Sequence, residues 1–147
     1  MDAFFDYEKK AEEIRQKNEE YLEGFEALLE AEGLSDKTIN LHLKNVYFYI
    51  NSFLLNYDAL DAGQGCYSIG EFLGNWFIRK AMWSTVATIK SNITSLKKFY
   101  KYLLGRGVVE KVDYDALCET IDENKFEWFD LVSRYNDPNE DNPFSPF

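Results

Sequence analysis

The sequence is poor in the side chains that usually carry chemistry. Its 147 residues contain one histidine, two cysteines, two methionines and three prolines. His42 has no cysteine, aspartate or glutamate at ligand spacing, so it reads as a structural side chain rather than a metal ligand or general base. Cys66 and Cys118 cannot build a disulfide framework and lack zinc spacing, which predicts two packing residues in a reducing cytosol. No glycine-rich phosphate loop, GxSxG elbow or cysteine-nucleophile motif is present. Tyrosines are abundant, but no cation cluster stands ready to support a tyrosine nucleophile. The prediction is therefore no enzyme, no catalytic residue, no cofactor and no metal site. No apolar run approaches the roughly 20 residues needed to cross a bilayer, and the first residues lack the basic and apolar regions of a leader. The expectation is a soluble, cytoplasmic protein with no membrane partner.

Positive charge is also scarce. Sixteen Lys and Arg against 26 Asp and Glu leave a net charge of -10, which taken whole argues against nucleic acid and anionic membranes. What is plentiful is apolar surface: 46% hydrophobic and 17% aromatic residues are too many for a disordered acidic chain. The length suits one domain with tails.

The periodicity is helical throughout. Phe4, Tyr7, Ala11, Ile14, Asn18, Tyr21, Phe25 and Leu28 form a first stripe, stopped by Gly33 as a left-handed residue. Ser35 caps a second helix striped by Ile39, Leu43, Val46, Ile50, Phe53, Leu54 and Tyr57. A loop around Gly63-Gln64-Gly65 follows. Ser68 and Glu71 have capping-box spacing and predict a third helix to about Lys80. Ser84 is the expected cap of a fourth, striped by Val86, Ile89, Ile93, Leu96, Phe99, Tyr100 and Leu103 and ended by Gly105 and Gly107. Asp113 is the expected cap of a fifth, carrying Leu117, Ile121, Phe126, Trp128, Phe129 and Val132 and ended by Asn136-Asp137-Pro138. No segment alternates as a strand, and no repeat of fixed period occurs. The predicted fold is all-α, a compact bundle of four to five helices with an extended N-terminal helix and an added acidic C-terminal helix. Its expected divisions are an N-terminal extension over 1–20, a core over 21–111, an acidic helix over 112–136 and a flexible tail over 137–147.

The charges are not evenly spread. Residues 1–32 are net -7 and residues 112–147 net -8, whereas 76–111 hold eight bases and the single acid Glu110. Between the acidic ends, residues 33–111 are net +5. On a helical wheel of the fourth helix, Lys90, Thr94, Lys97 and Lys101 share one face, with Ser91 and Lys98 at its flank. The second helix repeats this more weakly with Lys37, Asn40, Lys44 and Asn51, and places Ser35 and Thr38 at its start. Lysines attract phosphate, while hydroxyls and amides position on backbone oxygens or base edges. Acidic pairs such as Glu12-Glu13 and Glu19-Glu20 lie among lysines and read as solvated faces.

From Tyr21 to Val109 the motif order resembles the N-terminal core-binding domain of tyrosine recombinases and phage integrases, a helical domain of the SAM-like type. The similarity is carried by the run from Phe25 to Leu34, by Ser35-Asp36-Lys37-Thr38-Ile39, by the helix ending Phe53-Leu54, by Phe72-Leu73, and by the run from Thr88 to Leu103. The resemblance implies double-stranded DNA as partner, contacted by Ser35, Lys37 and Thr38 and by Lys90, Ser91, Asn92 and Lys97. Asn92 lies nearer the apolar border of the wheel than the rest. After Val109 come 38 acidic, histidine-free residues, so the expectation is a chain without the family's catalytic domain.

A different reading is a protein-interaction module. The first stripe, with Asn18 as its polar interruption, is similar to a short coiled-coil seam that could join a homodimer, and equally suits packing on its own domain. Aromatic groups near the C-terminus, Trp128 and Phe129 or Phe144 and Phe147, could dock on a recombinase or a second copy. A third is that the acidic faces mimic DNA and occupy a DNA-binding protein.

Overall fold

A computed structural model describes residues 2–56 and 58–145. Tyr57 and Phe147, two of the aromatics singled out above, lie outside the described residues. Within them the chain is all helical, with six α-helices and no strand: α1 (Ala3–Ala31), α2 (Asp36–Tyr47), α3 (Ile69–Glu71), α4 (Phe77–Lys80), α5 (Val86–Gly105) and α6 (Lys111–Asn136). The compact bundle expected from periodicity is the observed architecture.

In α1 the Asp2 side chain accepts from the Phe4 amide, and Gly33 closes the helix at φ +80°. The apolar stripe is used by the chain itself. Tyr21, Phe25 and Leu29 enter the main core, while Ala11 and Ile14 pack on Leu55 and Ala59, where the Tyr7 hydroxyl donates to the Leu55 carbonyl. Asn18 sits in the same internal contact, donating to the Ile50 carbonyl (3.3 Å) and to Asn51 Oδ1 (2.9 Å). It bridges α1 to the end of the second helix rather than to another molecule. Leu28 keeps 38% of its surface, and Leu29 takes the buried place. A strict heptad drifts by about 20° per repeat on a straight α-helix, and three repeats move the inner position by one residue.

Ser35 caps α2 as expected, accepting from the Thr38 amide at 3.3 Å. The helix then widens into a π turn, Phe48–Phe53, marked by the Leu54 N–H to Tyr49 carbonyl bond (2.9 Å). That turn brings both Tyr49 and Ile50 fully inside. The stretch expected to be loop contains a 3₁₀ helix, Ala62–Tyr67, started by a capping box in which Asp61 accepts from Gly63 N–H and Gln64 accepts from Asp61 N–H. Two core tyrosines hold it: Tyr49 donates to the Gly65 carbonyl (2.6 Å) and Tyr100 to the Ala62 carbonyl (2.7 Å).

Three expected caps are corrected. Ser68 makes no capping bond, because the 3₁₀ helix runs directly into α3 and leaves its backbone at φ -105°, ψ 0°; Glu71 instead accepts from Asn75. The single third helix is divided into α3, a π turn over Phe72–Trp76, and α4. At α5 the cap is Thr85, whose hydroxyl accepts from Thr88 N–H (3.1 Å) while Thr88 Oγ1 accepts from Thr85 N–H (2.8 Å). The neighbouring Ser84 is buried and donates to the Ile78 carbonyl. At α6 Asp113 lies one turn inside, accepting from the Glu110 amide.

α5 is the central helix, flanked by α2 and α6. Beneath it the rings of Phe48, Tyr49, Phe53, Phe72, Trp76 and Phe77 pack at centroid distances between 4.8 and 6.2 Å, Tyr49 stacked on Phe53 and the other pairs edge-to-face or tilted. α6 adds Leu117, Ile121, Trp128 and Val132 to this core, so Trp128 is a packing residue. Asn136 donates to the Ser84 carbonyl, and Phe144 lies on Tyr135 and beside Arg79.

Candidate nucleic-acid interface

The expected contact residues sit on two neighbouring helices, and a buried polar seam decides how those helices meet. His42 Nδ1 lies 2.7 Å from Ser95 Oγ, and Asn45 Nδ2 donates to Ser91 Oγ and Ser95 Oγ at 3.0 Å each. Pairing 42 with 95 and 45 with 91 sets α2 and α5 antiparallel. His42 is 5% exposed, and its pKa is lowered chiefly by burial, then by the nearby Lys98 against a weaker opposing effect of Glu32. The neutral ring suits the seam: Asn45 donates to Ser95, and the Ser95 hydroxyl shares a hydrogen bond with Nδ1 whose direction the ring tautomer sets. His42 thus registers two helices. Among the described residues no group of His, Cys, Asp or Glu could hold a metal ion.

On both helices the lysines lie about a third of a turn from the seam residues and roughly opposite the core positions, on the side away from the interior. On α5, Lys90, Thr94 and Lys101 are exposed and Lys97 and Lys98 half exposed. On α2, Lys37, Asn40 and Lys44 are exposed. Helices in contact have axes about 8–10 Å apart, so the two rows are adjacent strips of one surface. Among the described residues Lys37, Lys44, Lys90, Lys97 and Lys101 make no ion pair; Lys98 approaches Glu32 at 3.8 Å, a weak exposed pair.

Other expected residues stand elsewhere. Asn92 is 2% exposed, turned into the core, and donates to the Thr88 carbonyl (2.8 Å). Ser91 is half buried and occupied by Asn45. Asn51, placed on the α2 face by the wheel, lies within the π turn and accepts from Asn18. Ser35 is exposed but committed to its cap, bonded to both the amide and the hydroxyl of Thr38. Thr94 donates to the Lys90 carbonyl.

One contributor was not legible in the sequence. Lys125, from the acidic helix α6, joins Lys90 and Thr94 along a shallow cleft of about 370 Å³ floored by Ile93 and Phe129. The Lys90 ammonium stands 5.4 Å from the Phe129 ring, and Phe126 at the cleft edge is 73% exposed. The α6 flank bordering the lysine row therefore carries a cation and two rings, with the exposed Asp122 one turn before them on the same side, while Glu119, Glu123 and Glu127 lie further round the helix. A wheel of α6 alone places Lys125 on that flank, but only the packing against α5 gives it neighbours of like sign.

Comparison with protein-family models, with curated proteins and with solved structures finds no match. No helix among the described residues is long and apolar enough to cross a membrane.

Proposed function

We propose that this chain is a non-catalytic module that binds double-stranded DNA in the cytoplasm, an accessory to DNA integration or recombination, related to the core-binding domain that its motif order resembles. The observation that carries the reading is the row of cations on α5, extended by Lys37 and Lys44 on one side and Lys125 on the other: Lys37, Lys44, Lys90 and Lys101 are exposed, Lys97, Lys98 and Lys125 half exposed, and among the described residues Lys98 alone of them approaches an acid. Lysines so placed meet phosphates and fix the orientation of the duplex, and Asn40 stands among them as a hydrogen-bonding group. The side chains of Asn92 and Ser91 are left out of the contact set, because the fold has already used them. The large acidic excess keeps the affinity modest, and the counterions released when lysines neutralise phosphates make it fall steeply with salt.

Fluorescence anisotropy with a labelled 20-base-pair duplex tests this. About six lysine–phosphate contacts give a fall in affinity of about a thousandfold between 50 and 200 mM salt. Lys90→Glu with Lys97→Glu abolishes binding while the circular dichroism spectrum is unchanged. No binding at tens of micromolar in low salt, or binding indifferent to the double reversal, refutes the proposal.

A further inference from the structure

A second concavity lies between the C-terminal halves of α1 and α5. It encloses about 400 Å³, within the range of small-molecule sites. Its floor is apolar: Phe25 and Leu29 from the core, the Tyr102 ring 5.9 Å from Phe25, and Leu28 standing half open at the rim. Its charged groups are Lys98, Lys101, Arg106 and Glu32. Glu32 offsets Lys98, which leaves two cations, Lys101 and Arg106, without an acidic partner among the described residues. Arg106 is held in place by its own surroundings: Nη1 donates to Tyr102 Oη at 2.6 Å and the guanidinium stands 5.7 Å from the Tyr102 ring. A guanidinium has five N–H donors and this bond uses one.

From this complementarity of charge and apolar floor we infer that the cleft binds a small amphipathic anion, a carboxylate carrying an aliphatic or aromatic body. Arg106 and Lys101 take the carboxylate, and the body covers Leu28, Phe25 and Tyr102. A duplex has no apolar part that could enter such a cleft, and its volume suits one small molecule rather than a docked helix. The inference is independent of the DNA reading, although Lys101 belongs to both surfaces.

Isothermal titration of the full chain with decanoate, with 1-decanol as the neutral counterpart, decides it. The expected result is one saturable site with a dissociation constant below 1 mM, at least tenfold weaker for decanol, and about tenfold weaker for octanoate because two methylenes leave the floor. Arg106→Gln with Lys101→Gln weakens decanoate at least tenfold. Leu28→Asp abolishes it and leaves duplex binding intact, because Leu28 lies off the lysine row; its melting temperature stays near that of the parent, since the position is half exposed. Equal affinity for decanoate and decanol, an unchanged constant in the double variant, or no binding at 1 mM overturns the inference. Loss of duplex binding without loss of decanoate binding refutes only the DNA reading.

Discussion

Gly65 and Tyr100 together hold the 3₁₀ helix onto the core, and substituting both gives a sharp test of how. A Cβ on Gly65 would overlap the Tyr100 hydroxyl, and would stand 3.0 Å from Leu54 Cδ1 and 3.1 Å from Tyr100 Cζ. Tyr100 is fully buried and its hydroxyl is bonded to the Ala62 carbonyl, so the ring cannot swing aside. Gly65→Ala therefore combines overpacking, about 1–3 kcal/mol, with a broken buried hydrogen bond, about 1–2 kcal/mol. Tyr100→Phe alone leaves the Ala62 carbonyl unpaired and costs about 1–2 kcal/mol. In the double variant the clashing oxygen is gone and that bond cannot be lost twice. Its destabilisation falls short of the sum of the singles by about 1.5–3 kcal/mol, the signature of residues in contact. Urea unfolding followed by circular dichroism at 222 nm measures the cycle, and thermal melts should drop by about 2–4 °C per kcal/mol. Additive single effects, within about 0.5 kcal/mol, would refute the steric argument.

Two further outcomes follow from buried titratable groups. His42 is the sole histidine, and burial lowers its pKa below the ordinary 6.5, so the folded chain binds fewer protons than the unfolded chain just below that pH. Stability is complete above pH 6.5 and declines as pH falls from there toward the folded-state pKa, by at most about 1.4 kcal/mol per pH unit. Urea midpoints at pH 7.5, 6.5 and 5.5 should show the decline, and His42→Gln should flatten it between the last two; an equal slope in the variant contradicts the assignment. The Cys66 thiol is buried and pushed up to about 12, chiefly by that burial, whereas Cys118 is half buried. At pH 8 a disulfide reagent such as Ellman's should label one thiol in the native chain and two in urea, with Cys66→Ser leaving the native reaction unchanged.

Helix placement was legible wherever it depends on neighbours along the chain. The Ser35 cap, the left-handed Gly33 and the stripe of α5 are local facts: four-residue hydrogen bonds and a 3.6-residue period. The third helix was not legible as three pieces, because its π turn is imposed by where Phe72 and Trp76 must sit against Phe48 and Phe53. Ser84 and Thr85 are both chemically fit to cap α5, and the choice falls on Thr85 once the Ser84 hydroxyl is spent on the Ile78 carbonyl.

The candidate surface divides in the same way. By itself the sequence determined an all-helical chain and a row of lysines recurring with the helical period on α5, since both rest on spacing alone. Only the tertiary structure decided which polar groups remain free to meet a partner. It turned Asn92 inward, tied Ser91 to Asn45, and drew Asn18 and Asn51 into the contact between α1 and the end of the second helix. It also set Lys125 of a strongly acidic helix beside Lys90. A hydrogen bond or a shared electrostatic surface joins residues distant in sequence, and no periodicity within one segment records which distant group a side chain will find.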